Sequence, residues 1–344
     1  MWYDDIIKSV RSLVRENEPE YGITNILYKH DCLYLLTLYT HHLSRQIDFE
    51  QYLITTATKE RYKLFDNFTD IPYAVIKGAP LSKEIYGEAS LRKTSDVDIL
   101  VDKMDTDIVK SVLFNAGFTQ GRVVGDKIVP FQRDELIYQA ALTHQIAPFV
   151  KATDNKLCPY VKVDINTNIW WGESHRHADI KTLLSTKKKI DIYGININKL
   201  DIEEEFISLC MHHYKDMNSI FLLYTKKIRL NLFCDIFYFL KNLSPNKLRL
   251  YALAEKLEVR QYIHYCLYYT NLIFDDNIVR SYLDMFDNDK DTDLIDTYGL
   301  SEDERHTWGI NFYERLFHKN LTKYLCSVLS QSDLEKINTN LTYM

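Results

Sequence analysis

VIKGAPLSKEIYGEASLRKTSDVDILVD, residues 75–102, joins a short apolar run to a pair of aspartates through a Lys-Gly turn. The alternation in DVDILVD predicts a strand, because side chains two residues apart in a strand lie on the same face. Asp96 and Asp98 therefore share one face, and the valine and isoleucine residues between and after them can enter a core. Two carboxylates this close repel each other by about a few kcal/mol. The pattern therefore favours a bound cation.

The Lys-Gly turn before the aspartates has features of a phosphate-binding turn. Gly78 allows the backbone to approach an anion closely. The helix predicted for residues 79–89 offers its first N–H groups to that anion. Lys77 and Arg92 add positive charge. The residue Ser95 contacts phosphate, orients the strand that follows it, or is an ordinary turn residue. A role for Lys77 and Arg92 as ordinary surface cations is equally consistent with the sequence.

The metal expected beside this turn is Mg²⁺, which prefers one or two carboxylates together with substrate phosphates. A metal pair next to a phosphate-binding turn is the equipment of phosphoryl or nucleotidyl transfer. The alternative for a bare Asp-x-Asp pattern is a solvated sheet face without a ligand. The neighbouring turn and cations favour the metal site at Asp96 and Asp98 over that alternative.

The order of these features resembles the signature of the DNA polymerase beta-like nucleotidyltransferase superfamily. The resemblance lies in Lys-Gly, a helix, Arg-x-x-Ser, and then Asp-Val-Asp followed by apolar residues. It is closest to the bacterial group of nucleotidyltransferase family proteins, which are related to type IV abortive-infection toxins and minimal nucleotidyltransferases. Weaker similarities, in YQAALTHQIAPF, YVKVDINTNIWW and EEFISLCMHHYKDM, extend the resemblance over roughly residues 70–240.

The resemblance implies a polymerase-beta-like mixed sheet and a transfer of a nucleoside monophosphate from an NTP, such as ATP, to an acceptor. It implies that Gly78 lies in the phosphate-binding turn and that Asp96 and Asp98 bind two Mg²⁺ ions, with Mn²⁺ as a substitute. The superfamily uses a third acid on a later strand, and Asp164 in VKVDIN matches it. Asp164 would complete the second metal site or accept the proton of the acceptor.

The turn departs from the superfamily pattern at two residues. Ala79 supplies no hydroxyl to a phosphate, and Pro80 supplies no N–H. A catalytically degenerate module that binds a nucleotide or a partner is therefore an alternative, and a toxin-type enzyme that modifies tRNA or protein is another. A kinase is disfavoured, because the chain lacks a Gly-rich loop ending in Gly-Lys-Ser/Thr.

The pattern of apolar residues predicts an α+β protein in three parts. Residues 1–70 show a helical period and form a helical N-terminal region. Residues 71–198 mix strands and helices and form the nucleotidyltransferase core, and residues 199–344 form a helical C-terminal domain. Within the last part, Ser244 and Pro245 are predicted to begin a helix, as its cap and first residue.

Composition narrows the choice of partners and of compartment. The chain has 344 residues and a net charge of −6, so no overall basic field indicates binding to DNA. The acceptor is left open among small molecules, proteins and RNA. No apolar run reaches membrane-spanning length. The first residues do not resemble a signal peptide, and the six cysteines form no Cys-x-x-Cys pair. We therefore expect a cytoplasmic protein with no membrane partner.

Overall fold

The computed structural model describes residues 2–16, 23–39, 45–69, 71–142, 145–287 and 293–343. The chain divides into two compact units. The first comprises Ser44–Ser208, and the second comprises Met1–Leu43 together with Leu209–Met344. The first unit contains the large sheet, and the second is mostly helical. The three-part division at residues 70 and 198 remains a prediction.

Helices occur along the whole described chain. None of those within the described ranges is both long enough and apolar enough to cross a bilayer. Short 3-10 turns lie at Lys63–Asn67, Lys103–Asp105, Gly172–Ser174 and Glu302–Glu304. The α-helices are α1 (Trp2–Glu16), α2 (Ile23–Lys29), α3 (Tyr34–Tyr39), α4 (Arg45–Tyr62), α5 (Ala79–Tyr86), α6 (Thr106–Asn115), α7 (Arg133–Leu142), α8 (Ile180–Ser185), α9 (Ile202–Asn218), α10 (Ile220–Thr225), α11 (Leu230–Leu243), α12 (Lys247–Lys256), α13 (Arg260–Phe274), α14 (Asn277–Phe286), α15 (Phe312–Leu316), α16 (Leu321–Val328) and α17 (Gln331–Tyr343).

The strands confirm the expectation of a protein that combines helices with a mixed sheet, and the sheet is large. They are β1 (Tyr73–Val75), β2 (Val97–Val101), β3 (Thr119–Val124), β4 (Lys127–Pro130), β5 (Gln145–Ala152), β6 (Tyr160–Asn166), β7 (Lys188–Ile192), β8 (Ile195–Lys199), β9 (Thr297–Tyr298) and β10 (His306–Thr307). In the described residues, the first eight form one sheet in the order β4-β3-β5-β6-β2-β1-β8-β7. The pairs β2–β6 and β1–β8 are parallel, and the others are antiparallel.

One face of the large sheet carries the core of the first unit. Alternate residues of the central strands, including Ile99, Val163 and Ile165, are fully buried there. The aromatic residues Tyr62 and Phe65, at the end of α4 and in the 3-10 turn after it, pack against them. Because strand residues alternate between faces, burying these valines and isoleucines aims the intervening polar residues of β2 and β6 at the other face.

The predicted helix start at Ser244 and Pro245 is wrong. Ser244 has a left-handed φ of 47° and ends α11, and its hydroxyl donates a hydrogen bond back to the carbonyl of Leu240. The cap of α12 is instead Asn246, whose side-chain oxygen accepts the N–H of Arg249 at 3.0 Å. Ser244 thus ends α11 in the left-handed conformation, and the extended backbone of a helix cap occurs at Asn246, which explains the shift.

Candidate functional site

Asp98 and Asp164 lie next to each other on the sheet. They occupy the same register position of the parallel strands β2 and β6, so their side chains project from the same face. Asp96 is the residue immediately before β2 and is half-buried, whereas Asp98 is 5% exposed. The structure therefore places the three acids predicted from the sequence near one another, on β2, on β6 and just before β2.

The surroundings of Asp98 perturb its ionisation. Burial raises the pKa of Asp98 to about 6, and the negative charges of Asp96 and Asp164 add to that shift. Lys77 opposes it, with its Nζ atom 3.1 Å from Oδ2 of Asp98. Desolvation and like charges both disfavour the ionised carboxylate. The site thus carries negative charge that a further cation would stabilise.

The turn between β1 and α5 is held against β2. The N–H of Ile76 donates to the carbonyl of Asp98 at 3.0 Å, and the next two residues have left-handed backbones. Lys77 has a φ of 59° and Gly78 has a φ of 75°. Gly78 pairs that φ with a ψ of −141°, a conformation largely confined to glycine. The backbone shape of the turn therefore depends on Gly78.

Tyr62 fills the space behind this turn. Its hydroxyl oxygen accepts the N–H of Ala79 at 3.1 Å, and a Cβ added at Gly78 would lie 3.2 Å from the same oxygen. Burial raises the pKa of Tyr62, the Ala79 N–H lowers it, and the charge of Asp98 raises it further. One of the helix N–H groups that the sequence assigned to phosphate thus contacts the protein itself. Nothing in the sequence around Tyr62 indicates this contact.

Arg92 and Ser95 lie in the loop that leads to Asp96. Arg92 is half-buried, and Ser95 is exposed. The N–H of Arg92 donates to the hydroxyl of Ser82 on α5 at 3.1 Å, and that hydroxyl donates to the carbonyl of Glu88 at 2.7 Å. Ser82 therefore ties the loop to the helix that follows the phosphate-binding turn, and it was not singled out from the sequence.

Two further polar residues of β6 belong to the site and were missed. Lys162 places its Nζ atom 3.0 Å from Oδ2 of Asp164. Burial alone would lower the pKa of Lys162, but Asp164 outweighs burial and raises it. Asn166 donates its amide to the carbonyl of Ile99 at 3.4 Å, and the same nitrogen lies 3.5 Å from Oδ1 of Asp98. The alternation of polar and apolar residues along YVKVDIN was the signal that could have found both.

The carboxylates match the oxygen ligands that Mg²⁺ prefers. Within the ranges that the structure describes, no group of three His, Cys, Asp or Glu side chains is arranged to hold a metal ion. Mg²⁺ is commonly bound by one or two carboxylates, with waters and substrate phosphates completing its shell. Asp96 and Asp98 fit that mode, in which a closed protein cage is not needed.

The match to a protein-family model agrees with this chemistry at the level of the family. A family model described as "Uncharacterised nucleotidyltransferase" matches residues 40–275, which include all three acids. The chain is 15% identical to an antigenic nucleotidyltransferase-like protein from Paracoccidioides brasiliensis with a crystal structure, over 69% of this chain and 93% of that one, with a TM-score of 0.36. No protein of curated function matches. The family model covers more than half of the 344 residues of the chain, so the chain belongs to this family of uncharacterised nucleotidyltransferases.

Proposed function

We propose that the protein is a magnesium-dependent nucleotidyltransferase with a polymerase-beta-like site. It transfers a nucleoside monophosphate from an NTP to an acceptor and releases pyrophosphate. The observation that carries the proposal is the register pairing of Asp98 with Asp164, directly beside the turn at Lys77 and Gly78. Family membership supports the same reaction class.

In this proposal Asp96 and Asp98 hold Mg²⁺ together with the triphosphate. The metal supplies positive charge against the charge that develops on the phosphate oxygens. Lys77 is partly exposed at its side chain (18%), so its ammonium group can leave Asp98 and contact a phosphate. Arg92 and Ser95 contact the triphosphate from the loop before β2.

The transfer itself is an in-line displacement. An oxygen of the acceptor forms a bond to the α-phosphorus, and the bond from that phosphorus to the bridging oxygen breaks. Pyrophosphate leaves with the electron pair of the broken bond. Asp164 takes the proton of an attacking hydroxyl or completes a second Mg²⁺ site, and Lys162 keeps the carboxylate of Asp164 in place.

A second candidate function is a module that binds a nucleotide or a partner without catalysis. Two contacts favour it. The N–H of Ala79 is bonded to Tyr62, and the ammonium group of Lys77 is paired with Asp98. In this function those groups retain their protein partners, and a ligand binds without being cleaved.

The test is label transfer from each α-labelled NTP in the presence of Mg²⁺. The protein is incubated with a cytoplasmic extract, and the label is then separated into RNA, protein and small-molecule fractions. The Asp98→Asn variant removes the buried carboxylate. The Asp126→Asn variant changes an exposed acid in the turn between β3 and β4 and is the matched control.

Label that appears with the unmodified protein and with Asp126→Asn, but not with Asp98→Asn, supports transfer and identifies the class of acceptor. A tRNA or protein acceptor would support the toxin-type reaction, and a small-molecule acceptor would exclude it. If no fraction is labelled while equilibrium dialysis shows that an NTP binds, the binding module replaces the enzyme as the proposed function.

A further inference from the structure

A cavity of about 540 Å³ lies in the first unit, and Asp96, Asp98 and Asp164 do not line it. Its walls are the end of α4, the 3-10 turn after it, the turn between α6 and β3, and the loop from β5 to β6. Val161 of β6 lines the cavity, and Lys162 next to it contacts Asp164. Because neighbouring strand residues point to opposite faces, the cavity opens on the face of β6 that is opposite to Asp164.

Two cations that line this cavity, Arg61 and Lys151, form no salt bridge with any described residue. In the described part of the chain, the side chain of Arg61 makes no hydrogen bond or ion pair, and its Nε atom is buried. The ammonium group of Lys151 lies 5.8 Å from the centre of the Phe118 ring and makes no ion pair with any described residue. Both side chains line the cavity, so two positive charges are available to an occupant.

Glu60, one of the two acids of the lining, already has hydrogen-bond partners. Glu60 accepts Lys63 Nζ at 2.8 Å and the amide of Asn155 at 3.3 Å. The pKa of Glu60 is held below its ordinary value, chiefly by the Lys63 hydrogen bond, then by Asn155, with the charge of Lys151 as the smallest cause. Asp154, the other acid of the lining, is exposed. The charges that remain for a ligand are therefore mainly positive.

An anion bound in the cavity would give the buried Nε–H of Arg61 an acceptor and would neutralise part of this positive charge. A buried N–H group without an acceptor destabilises the folded protein, and the guanidinium fork matches a phosphate or carboxylate in two hydrogen bonds. The rest of the wall is partly apolar, with Leu64, Phe118 and Val161. We infer that this cavity binds a phosphorylated small molecule with an aromatic or apolar part, through Arg61 and Lys151.

Phenyl phosphate is a suitable probe, since it joins one ring to one phosphate group. We expect saturable binding by isothermal titration calorimetry, with a Kd of about 1 mM. Arg61→Met and Lys151→Met should each raise the Kd about tenfold. Arg61→Lys should fall between, because a lysine keeps the charge but loses the fork. Lys156→Met, at an exposed lysine of the same β5–β6 loop, is the matched control and should leave the Kd unchanged.

Further arms separate this cavity from the candidate active site. Phenol, which lacks the phosphate, should not bind, and inorganic phosphate, which lacks the ring, should bind more weakly. Asp98→Asn should bind phenyl phosphate as tightly as the unmodified protein does. This result is expected whether or not the unmodified protein transfers nucleotides. Thermal unfolding of each variant establishes that it is folded. The inference is overturned if folded Arg61→Met and Lys151→Met bind normally, if no binding occurs, or if Lys77→Met abolishes binding.

Discussion

Asp98 and Asp164 each have their own lysine. Lys77 lies 3.1 Å from the first acid and Lys162 lies 3.0 Å from the second, and the two acids are register partners on parallel strands. Strand hydrogen bonds, rather than loops, therefore fix the spacing of the carboxylates. In the proposed reaction Lys77 would leave Asp98 for a phosphate when the triphosphate binds, while Lys162 would stay on Asp164.

The first prediction concerns pH and Asp98. The pKa of this acid is raised from its ordinary value of 3.8 to about 6, so the folded protein binds a proton that the unfolded chain has already released. Stability from this group is present at low pH and is lost as the pH rises from about 4 to about 6. Asp98→Asn should remove that loss and stabilise the protein relative to the unmodified chain above about pH 6.

Urea unfolding at several pH values measures this effect. The difference in free energy of unfolding between Asp98→Asn and the unmodified protein should change by about 2–3 kcal/mol between about pH 4 and pH 7. Asp126→Asn, at an exposed acid, should show no such change. A difference that is constant with pH would contradict the perturbed carboxylate.

The second prediction concerns Mg²⁺. Because a protonated carboxylate cannot bind the metal, binding should strengthen as the pH rises through the pKa of Asp98, about 6. Millimolar MgCl₂ should therefore raise the Tm of the protein by a few degrees at about pH 7.5 and much less at about pH 5. NaCl at equal ionic strength controls for screening. An equal rise in Asp98→Asn would show that the metal binds elsewhere.

Part of this site was predictable because strand alternation is a short-range rule. The alternation in DVDILVD predicted β2 and the shared face of Asp96 and Asp98. The role of Asp164 came from the resemblance to the superfamily, and the structure adds its register pairing with Asp98. The same rule, applied to all of YVKVDIN, would also have found Lys162 and Asn166. Tyr62 could not be found in this way, because its contact with Ala79 joins residues 17 apart through the packing of a helix end against a turn.

The third prediction concerns Lys162. Its side chain is 42% exposed, and ion pairs at such positions contribute under about 1 kcal/mol to stability. Lys162→Met should therefore barely change the free energy of unfolding, but it should lower the initial rate of label transfer about tenfold by freeing the Asp164 carboxylate. Lys127→Met, at an exposed lysine of β4, is the control. Equal rates in the two variants would remove Lys162 from the site.

The fourth prediction compares two glycines with left-handed backbones. Gly78 has a conformation largely confined to glycine, and an added Cβ would lie 3.2 Å from the Tyr62 hydroxyl. Gly87 has an ordinary left-handed conformation with open space around it. Gly78→Ala should cost about 2–3 kcal/mol, and Gly87→Ala should cost about 1 kcal/mol.

Chemical unfolding measures the loss of stability in both variants. Calorimetry with each NTP measures how each substitution changes NTP binding. Only Gly78→Ala should weaken NTP binding, because only that residue shapes the backbone beside Lys77 and Asp98. Equal losses of stability in the two variants would mean that the turn tolerates a side chain. Normal NTP binding by folded Gly78→Ala would place the triphosphate elsewhere.

The last prediction concerns a buried lysine at the end of β8. Lys199 is 3% exposed, and its Nζ atom lies 2.6 Å from Glu205 and 2.7 Å from Glu84. Burial raises the pKa of Glu205 to about 7, while Lys199 opposes the shift. Lys199→Met should lower the free energy of unfolding by about 3–5 kcal/mol at about pH 8, because it leaves a buried carboxylate without its cation. The loss should shrink at about pH 6, where the folded protein protonates Glu205.

Urea unfolding at the two pH values tests this prediction. Lys181→Met, at an exposed lysine, is the control. A loss that does not depend on pH would show that lost packing, rather than charge, is responsible.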